Sequence, residues 1–248
     1  MDYTYKQIAK MIDHSLLNPT MDVETLEQGI QVGLAYDVGS ICIMPYYLKR
    51  CAELLAGSAQ AGLASVNAST TIGFPHGGHT TAIKVAEAKQ ALADGGQELD
   101  MVVNISKVLS ADWDYVRAEI KAVVDVAHAA GQKVKVIFEN CYLQDAHKIK
   151  LCEICGEIGA DWVKTSTGYG TGGATHEDLR LMRKYAPPHV QVKAAGGVRT
   201  FDALLEVRAL GVTRVGASAT AKILDACRER LGLAPIVLAD KPAEVKGY

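Results

Sequence analysis

Lys133-Val-Lys-Val-Ile-Phe138, the run Asp145-Ala-His-Lys-Ile-Lys-Leu-Cys-Glu-Ile-Cys-Gly-Glu-Ile158, and Trp162-Val-Lys-Thr165 form the stretch on which the fold turns. The first and last pieces are short, apolar and rich in β-branched and aromatic residues, as strands are. The middle piece has the length of a helix, and Gly159 after it is a usual helix stop. Strand, helix and strand in this order form a βαβ unit, whose two strands lie parallel.

The same unit repeats in both directions along the chain. Further strands are expected at Met11–Leu16, Ser40–Met44, Ser65–Ile72, Leu99–Val103, Val190–Ala194 and Arg214–Gly216. Helices are expected at Val23–Gly33, Pro45–Ala59, Thr81–Ala93, Trp113–Ala130, His176–Tyr185 and Phe201–Ala209. Eight strands alternating with helices fit an α/β chain closed as a (β/α)8 TIM barrel, and 248 residues is the usual size of one. An open doubly wound sheet is the competitor, but the turn after the first strand lacks the Gly-x-Gly-x-x-Gly of dinucleotide-binding folds. No linker, low-complexity segment or charge block interrupts the pattern, so residues 1–248 read as one domain.

Composition narrows the function classes. Apolar residues make up 49% and charged residues 22%, with a formal net charge of −2. No global field recruits nucleic acid or an anionic membrane, so an anionic substrate must be held by local groups. No run approaches the length of a spanning helix, and Met1 to Asp13 has no signal-peptide core. With six cysteines set mostly in strand and helix patterns, free thiols in a reducing cytoplasm are expected. Cys152-x-x-Cys155 falls within a helical run and has no second ligand pair, so it reads as two helix-face thiols.

Three expected strands carry an ionisable residue among apolar neighbours: Asp100, Lys164 and Lys193. Strands of a parallel barrel are covered on both faces, so such charges must be paired inside it or lie near its mouth. A lysine attacks a carbonyl only as the free amine, and its ordinary pKa near 10.4 opposes that at neutral pH. Burial and a second ammonium both disfavour the charged form. Lys193 can supply that ammonium to Lys164, with Asp100, or Asp13 on the first strand, moving protons. The rival reading is that both lysines grip a phosphate.

A phosphate site is expected where strands seven and eight end. Gly196 and Gly197 follow Lys193 and precede a helix, and Gly216 and Ser218 lie at the end of the next strand. Glycines let backbone N–H groups approach an anion, and a helix N-terminus favours negative charge. The loop from Ser166, including Gly168, adds backbone donors. Glu139 closes the fifth strand and either orients a lysine or caps the strand. His76-Gly-Gly-His79 has no further ligand at metal spacing and reads as loop histidines, so no metal is expected.

Together these motifs resemble the deoxyribose-phosphate aldolase family. The resemblance covers Ile12-Asp-His-Ser-Leu-Leu-Asn-Pro19, Gly73-Phe-Pro-His-Gly77, Glu98-Leu-Asp-Met-Val-Val-Asn104 and Glu139-Asn-Cys-Tyr-Leu143. It continues through Val163-Lys-Thr-Ser-Thr-Gly-Tyr-Gly170 and Val192-Lys-Ala-Ala-Gly-Gly-Val-Arg-Thr200. It implies reversible cleavage of 2-deoxy-D-ribose 5-phosphate to D-glyceraldehyde 3-phosphate and acetaldehyde, without metal or organic cofactor. It further implies Lys164 as the Schiff-base lysine, Lys193 as its perturbing neighbour, Asp100 as the proton-transfer group and Asp13 as an active-site residue. The phosphate is assigned to the Gly196–Gly197 and Gly216–Ser218 backbone, and a homo-oligomer, dimer or larger, is implied. Two departures stand out: Ser15 replaces a threonine, and Ala219 replaces the second of two serines. Tyr248 stands where some members use a C-terminal tyrosine to assist proton transfer, and a frayed, idle terminus is the alternative. Alternatives are a related barrel aldolase with another aldehyde acceptor and a non-catalytic phosphosugar-binding barrel.

Overall fold

The computed structural model describes residues 2–62 and 65–238. Eight strands run parallel in chain order and the last pairs with the first, closing the barrel. They are β1 (Ile12–Leu16), β2 (Ser40–Ile43), β3 (Asn67–Ile72), β4 (Glu98–Val102), β5 (Lys133–Ile137), β6 (Trp162–Lys164), β7 (Gln191–Ala195) and β8 (Arg214–Ala217). Around them lie α1 (Tyr5–Ala9), α2 (Val23–Ala35), α3 (Leu48–Gln60), α4 (Thr81–Ala93), α5 (Ile105–Leu109), α6 (Trp113–Ala129), α7 (Asp145–Ile158), α8 (His176–Tyr185), α9 (Phe201–Ala209) and α10 (Thr220–Arg230). Tyr248 lies outside the described residues.

Local chemistry accounts for most of the boundaries. Asp22, Asp112, Thr175 and Thr200 each accept a hydrogen bond from a first-turn N–H of the helix that follows. The expected helix Pro45–Ala59 instead opens as a 3-10 turn over Pro45–Tyr47, and α3 then starts at Leu48. Helices α1 and α5 are five residues long, too short to show a hydrophobic period. Helix α10 escaped the pattern because its buried face, Ile223, Leu224 and Cys227, is set among many charges. Cys152 and Cys155 are buried on α7, and the six cysteines are free.

Strand alternation sorts the side chains into two environments. Val134, Val136, Val163 and Val192 face outward and are fully buried in the apolar layer beneath the helices. Each such side chain stabilises the fold by on the order of 1.5–3 kcal/mol. Their neighbours Lys135, Lys164 and Lys193 turn into the barrel, where they meet Asp13, Glu98 and Asp100. The helical shell is therefore conventionally apolar, whereas the barrel interior is ionic.

Candidate active site

The register of the sheet brings the ionic residues together. Lys164 on β6 pairs with Ile137 of β5 on one side and with Lys193 of β7 on the other. The Lys164 and Lys193 Nζ atoms both donate to Oδ2 of Asp100, at 2.8 and 2.7 Å. Lys193 Nζ also lies 2.6 Å from Oδ2 of Asp13. Below them, Lys135 Nζ stands 2.5 Å from Glu98, 2.9 Å from Asp100 and 3.4 Å from Asp13. Arg214 completes the floor, forking onto both Glu98 oxygens at 2.9 and 3.0 Å and bonding Asp13. Asp13, Asp100 and Lys135 have no exposed surface, and Lys164 has 3%.

The two lysines named from the sequence are driven in opposite directions. Burial pushes Lys164 down from its ordinary value; Asp100 pulls it back up, but the Lys193 ammonium adds to the depression. Burial also works against charge on Lys193, yet Asp100 and Asp13 outweigh it and hold that lysine above the usual range. Burial alone would raise Asp100, but the ammonium groups of Lys135, Lys164 and Lys193 keep it well below the usual carboxylate range. Asp13 is likewise held low, by Arg214, Lys135 and Lys193 against its burial. The result is a buried amine whose ammonium form is disfavoured, hydrogen-bonded to the Asp100 carboxylate.

Above this network opens a cavity of about 60 Å³ whose walls include Lys164, Lys193, Asp13 and Ser15. Its far wall is formed by Gly168, Gly196, Gly197, Gly216 and Ser218, so the expected phosphate residues and the lysines share one space. Gly196 has φ +79°, and a Cβ there would stand 2.9 Å from the Cα of Gly173. Two loop backbones press together at this point, fixed by bonds from Ala174 N to the carbonyls of Ala195 and Gly196. Tyr169 donates its hydroxyl to the Leu17 carbonyl at 2.7 Å, tying the loop after β6 to the loop after β1. Glu139 serves this loop as well: its carboxylate accepts from the Thr167 N–H at 3.2 Å and from the Thr167 hydroxyl. Of the two roles expected for Glu139, the structure shows neither; it holds the β6–α8 loop. His76 and His79 are exposed, and among the described residues no group of three or more His, Cys, Asp or Glu side chains is placed to hold a metal.

The model of the DeoC/LacD family of aldolases matches residues 7–222. This chain belongs to that family. A deoxyribose-phosphate aldolase of Rhodopirellula baltica is 65% identical over 95% of both chains. One from Thermococcus gammatolerans is 47% identical over 89% of this chain and 96% of its own. The solved deoxyribose phosphate aldolase of Aeropyrum pernix, described as a unique tetrameric structure, superposes with a TM-score of 0.80 at 28% identity, covering 92% of this chain and 93% of that one.

Three of the seven ionic side chains inside the barrel of this aldolase, Lys135, Glu98 and Arg214, are not among those the sequence singles out. Lys135 sits in Lys133-Val-Lys-Val-Ile137, where alternation alone separates it from two valines; that alternation was the available signal. Glu98 and Arg214 each begin a strand and so read as ordinary strand-end charges. Cys42 and Arg199 line the cavity beside the expected residues, and nothing in their local sequence marked them.

Proposed function

We propose that this aldolase cleaves 2-deoxy-D-ribose 5-phosphate reversibly to D-glyceraldehyde 3-phosphate and acetaldehyde through an imine on Lys164. The observation that carries the reading is the buried amine of Lys164, whose ammonium form is disfavoured, held 2.8 Å from Asp100 and lining the cavity. Its Nζ adds to C1 of the open-chain sugar, and the carbinolamine loses water to give a protonated imine. The imine then draws electrons from the C2–C3 bond as a base removes the C3 hydroxyl proton. Cleavage releases D-glyceraldehyde 3-phosphate and leaves an enamine, which takes a proton at C2; water then frees acetaldehyde and the amine. Asp100, bridged to Lys193, carries protons in these steps, and Asp13 steadies Lys193.

The phosphate belongs at the glycine wall, against the backbone of Gly168, Gly196, Gly197, Gly216 and Ser218 and the start of α10. Ser15 at the rim faces the same substrate. Residues 1–248 act as one catalytic barrel in this reading, with no metal or organic cofactor. A cytoplasmic setting and a homo-oligomer belong to it; the free cysteines support the first, and the tetrameric relative supports the second. Among the described residues no helix is long and apolar enough to cross a membrane.

Sodium borohydride added with acetaldehyde tests the mechanism. An ethyl group should appear on Lys164, located by peptide mass mapping; an adduct on Lys193, or none, overturns the assignment. One observation favours a second reading, an aldolase for unphosphorylated acceptors: α10 opens at Ala219 with no side chain capping it. Turnover of 2-deoxyribose against its 5-phosphate separates the two.

A further inference from the structure

The barrel interior holds four side chains that can be cationic, Lys135, Lys164, Lys193 and Arg214, and three carboxylates, Asp13, Glu98 and Asp100. All seven are buried or nearly so. With every basic group protonated, the interior carries one uncompensated positive charge, which a low-dielectric medium strongly disfavours. One proton must therefore be given up, and the contacts decide where. Arg214 keeps its own at any ordinary pH. Lys135 touches three carboxylates and Lys193 touches two. Among the described residues, the one carboxylate that Lys164 touches is Asp100, at an oxygen it shares with Lys193. It is the least compensated cation of the four.

We propose that Lys135, Glu98 and Arg214, which lie beneath the cavity and outside its walls, are positioning residues that keep Lys164 as the free amine by fixing the charge balance of the barrel. This rests on the reading of Lys164 as the imine-forming lysine. Arg199 lines the same cavity but is exposed to solvent, and the remaining groups around Lys164 do not disturb the balance. From β2 comes Cys42, whose thiol is pushed up by burial and then by Asp100, so it stays neutral. Strand β3 has no titratable side chain. Glu139, beyond β5, is bound to Thr167 and stands outside the ion pairs. The Lys193 ammonium on β7 thus acts as one part of a wider arrangement rather than alone.

The test uses Lys135→Met, Glu98→Gln and the double variant, with borohydride trapping of acetaldehyde on Lys164 followed against pH. Lys135→Met leaves three cations for three carboxylates, so Lys164 retains its proton. Trapping at neutral pH should fall about tenfold or more, the inflection should move to alkaline pH, and the rate should recover above it. Glu98→Gln removes a carboxylate and should move the inflection the opposite way, toward acid. The double variant restores the balance and should return the inflection close to that of the unaltered protein. An inflection that stays put, or that moves in the same direction in both single variants, overturns the proposal. Should Lys135→Met fail to fold, the acid shift of Glu98→Gln decides alone, because the amide keeps the shape of the side chain. Absence of any adduct in the unaltered protein instead defeats the imine reading, so the two failures are distinct.

Discussion

Replacing Asp100 by asparagine separates the nucleophile from the proton carrier. At 2.8 Å, an ammonium on Lys164 and the Asp100 carboxylate attract by about 6 kcal/mol at an effective dielectric near 20. Asp100→Asn removes that attraction, and with it the carboxylate that favours a charged Lys164. The sign follows directly: the free amine is favoured further, so the acid limb of kcat/KM for deoxyribose 5-phosphate moves to lower pH. Yet kcat should fall by about 10²–10⁴, the usual contribution of a positioned proton-transfer group. Lys135 retains Glu98 at 2.5 Å and Lys193 retains Asp13 at 2.6 Å, so neither is left unpaired. Loss of a buried charge partner costs up to about 3–5 kcal/mol, or a fall in Tm of about 6–20 °C at this chain length. Because Lys164 already favours the free amine, and Lys193 and Lys135 each keep another carboxylate, the loss should lie near the lower end. Steady-state kinetics from pH 5 to 9, run beside thermal unfolding, reads all three quantities. Unchanged kcat, or an acid limb displaced toward alkaline pH, would refute the assignment of Asp100.

Gly196→Ala places a Cβ 2.9 Å from Gly173 Cα at a residue with φ +79°, costing about 1–3 kcal/mol of local strain where the phosphate is expected. KM for the 5-phosphate should rise severalfold while turnover of free 2-deoxyribose changes little; equal effects on both would place the phosphate elsewhere. Lys84→Met probes a buried pair behind the barrel, where Lys84 Nζ lies 2.8 Å from Glu119 and 2.7 Å from the Val102 carbonyl. Burial already raises Glu119 against the pull of Lys84, so the variant should lose about 3–5 kcal/mol at neutral pH. A carboxyl whose folded-state pKa is raised favours folding below its unfolded value and loses that advantage as pH rises. Urea unfolding should therefore show a smaller deficit at pH 5 than at pH 8, with activity per folded molecule unchanged.

The barrel is legible in the sequence, because each βαβ unit is written locally in apolar periods and glycine stops. The sequence also marked Asp100, Lys164 and Lys193, since a charge inside an apolar strand needs a partner. It left Lys135 unmarked among alternating valines, and it left open which role Glu139 plays. Those are questions of register and approach: closing eight strands sets Lys135 against Asp100 and Glu98, and the left-handed turn at Glu139 aims its carboxylate at Thr167. The sequence points to Lys164 and Lys193 as a pair, and the contacts that drive the two in opposite directions are visible only in the tertiary structure. Charge in a buried cluster depends on how many carboxylates each ammonium can reach, and that is a distance in space between strands far apart in the chain.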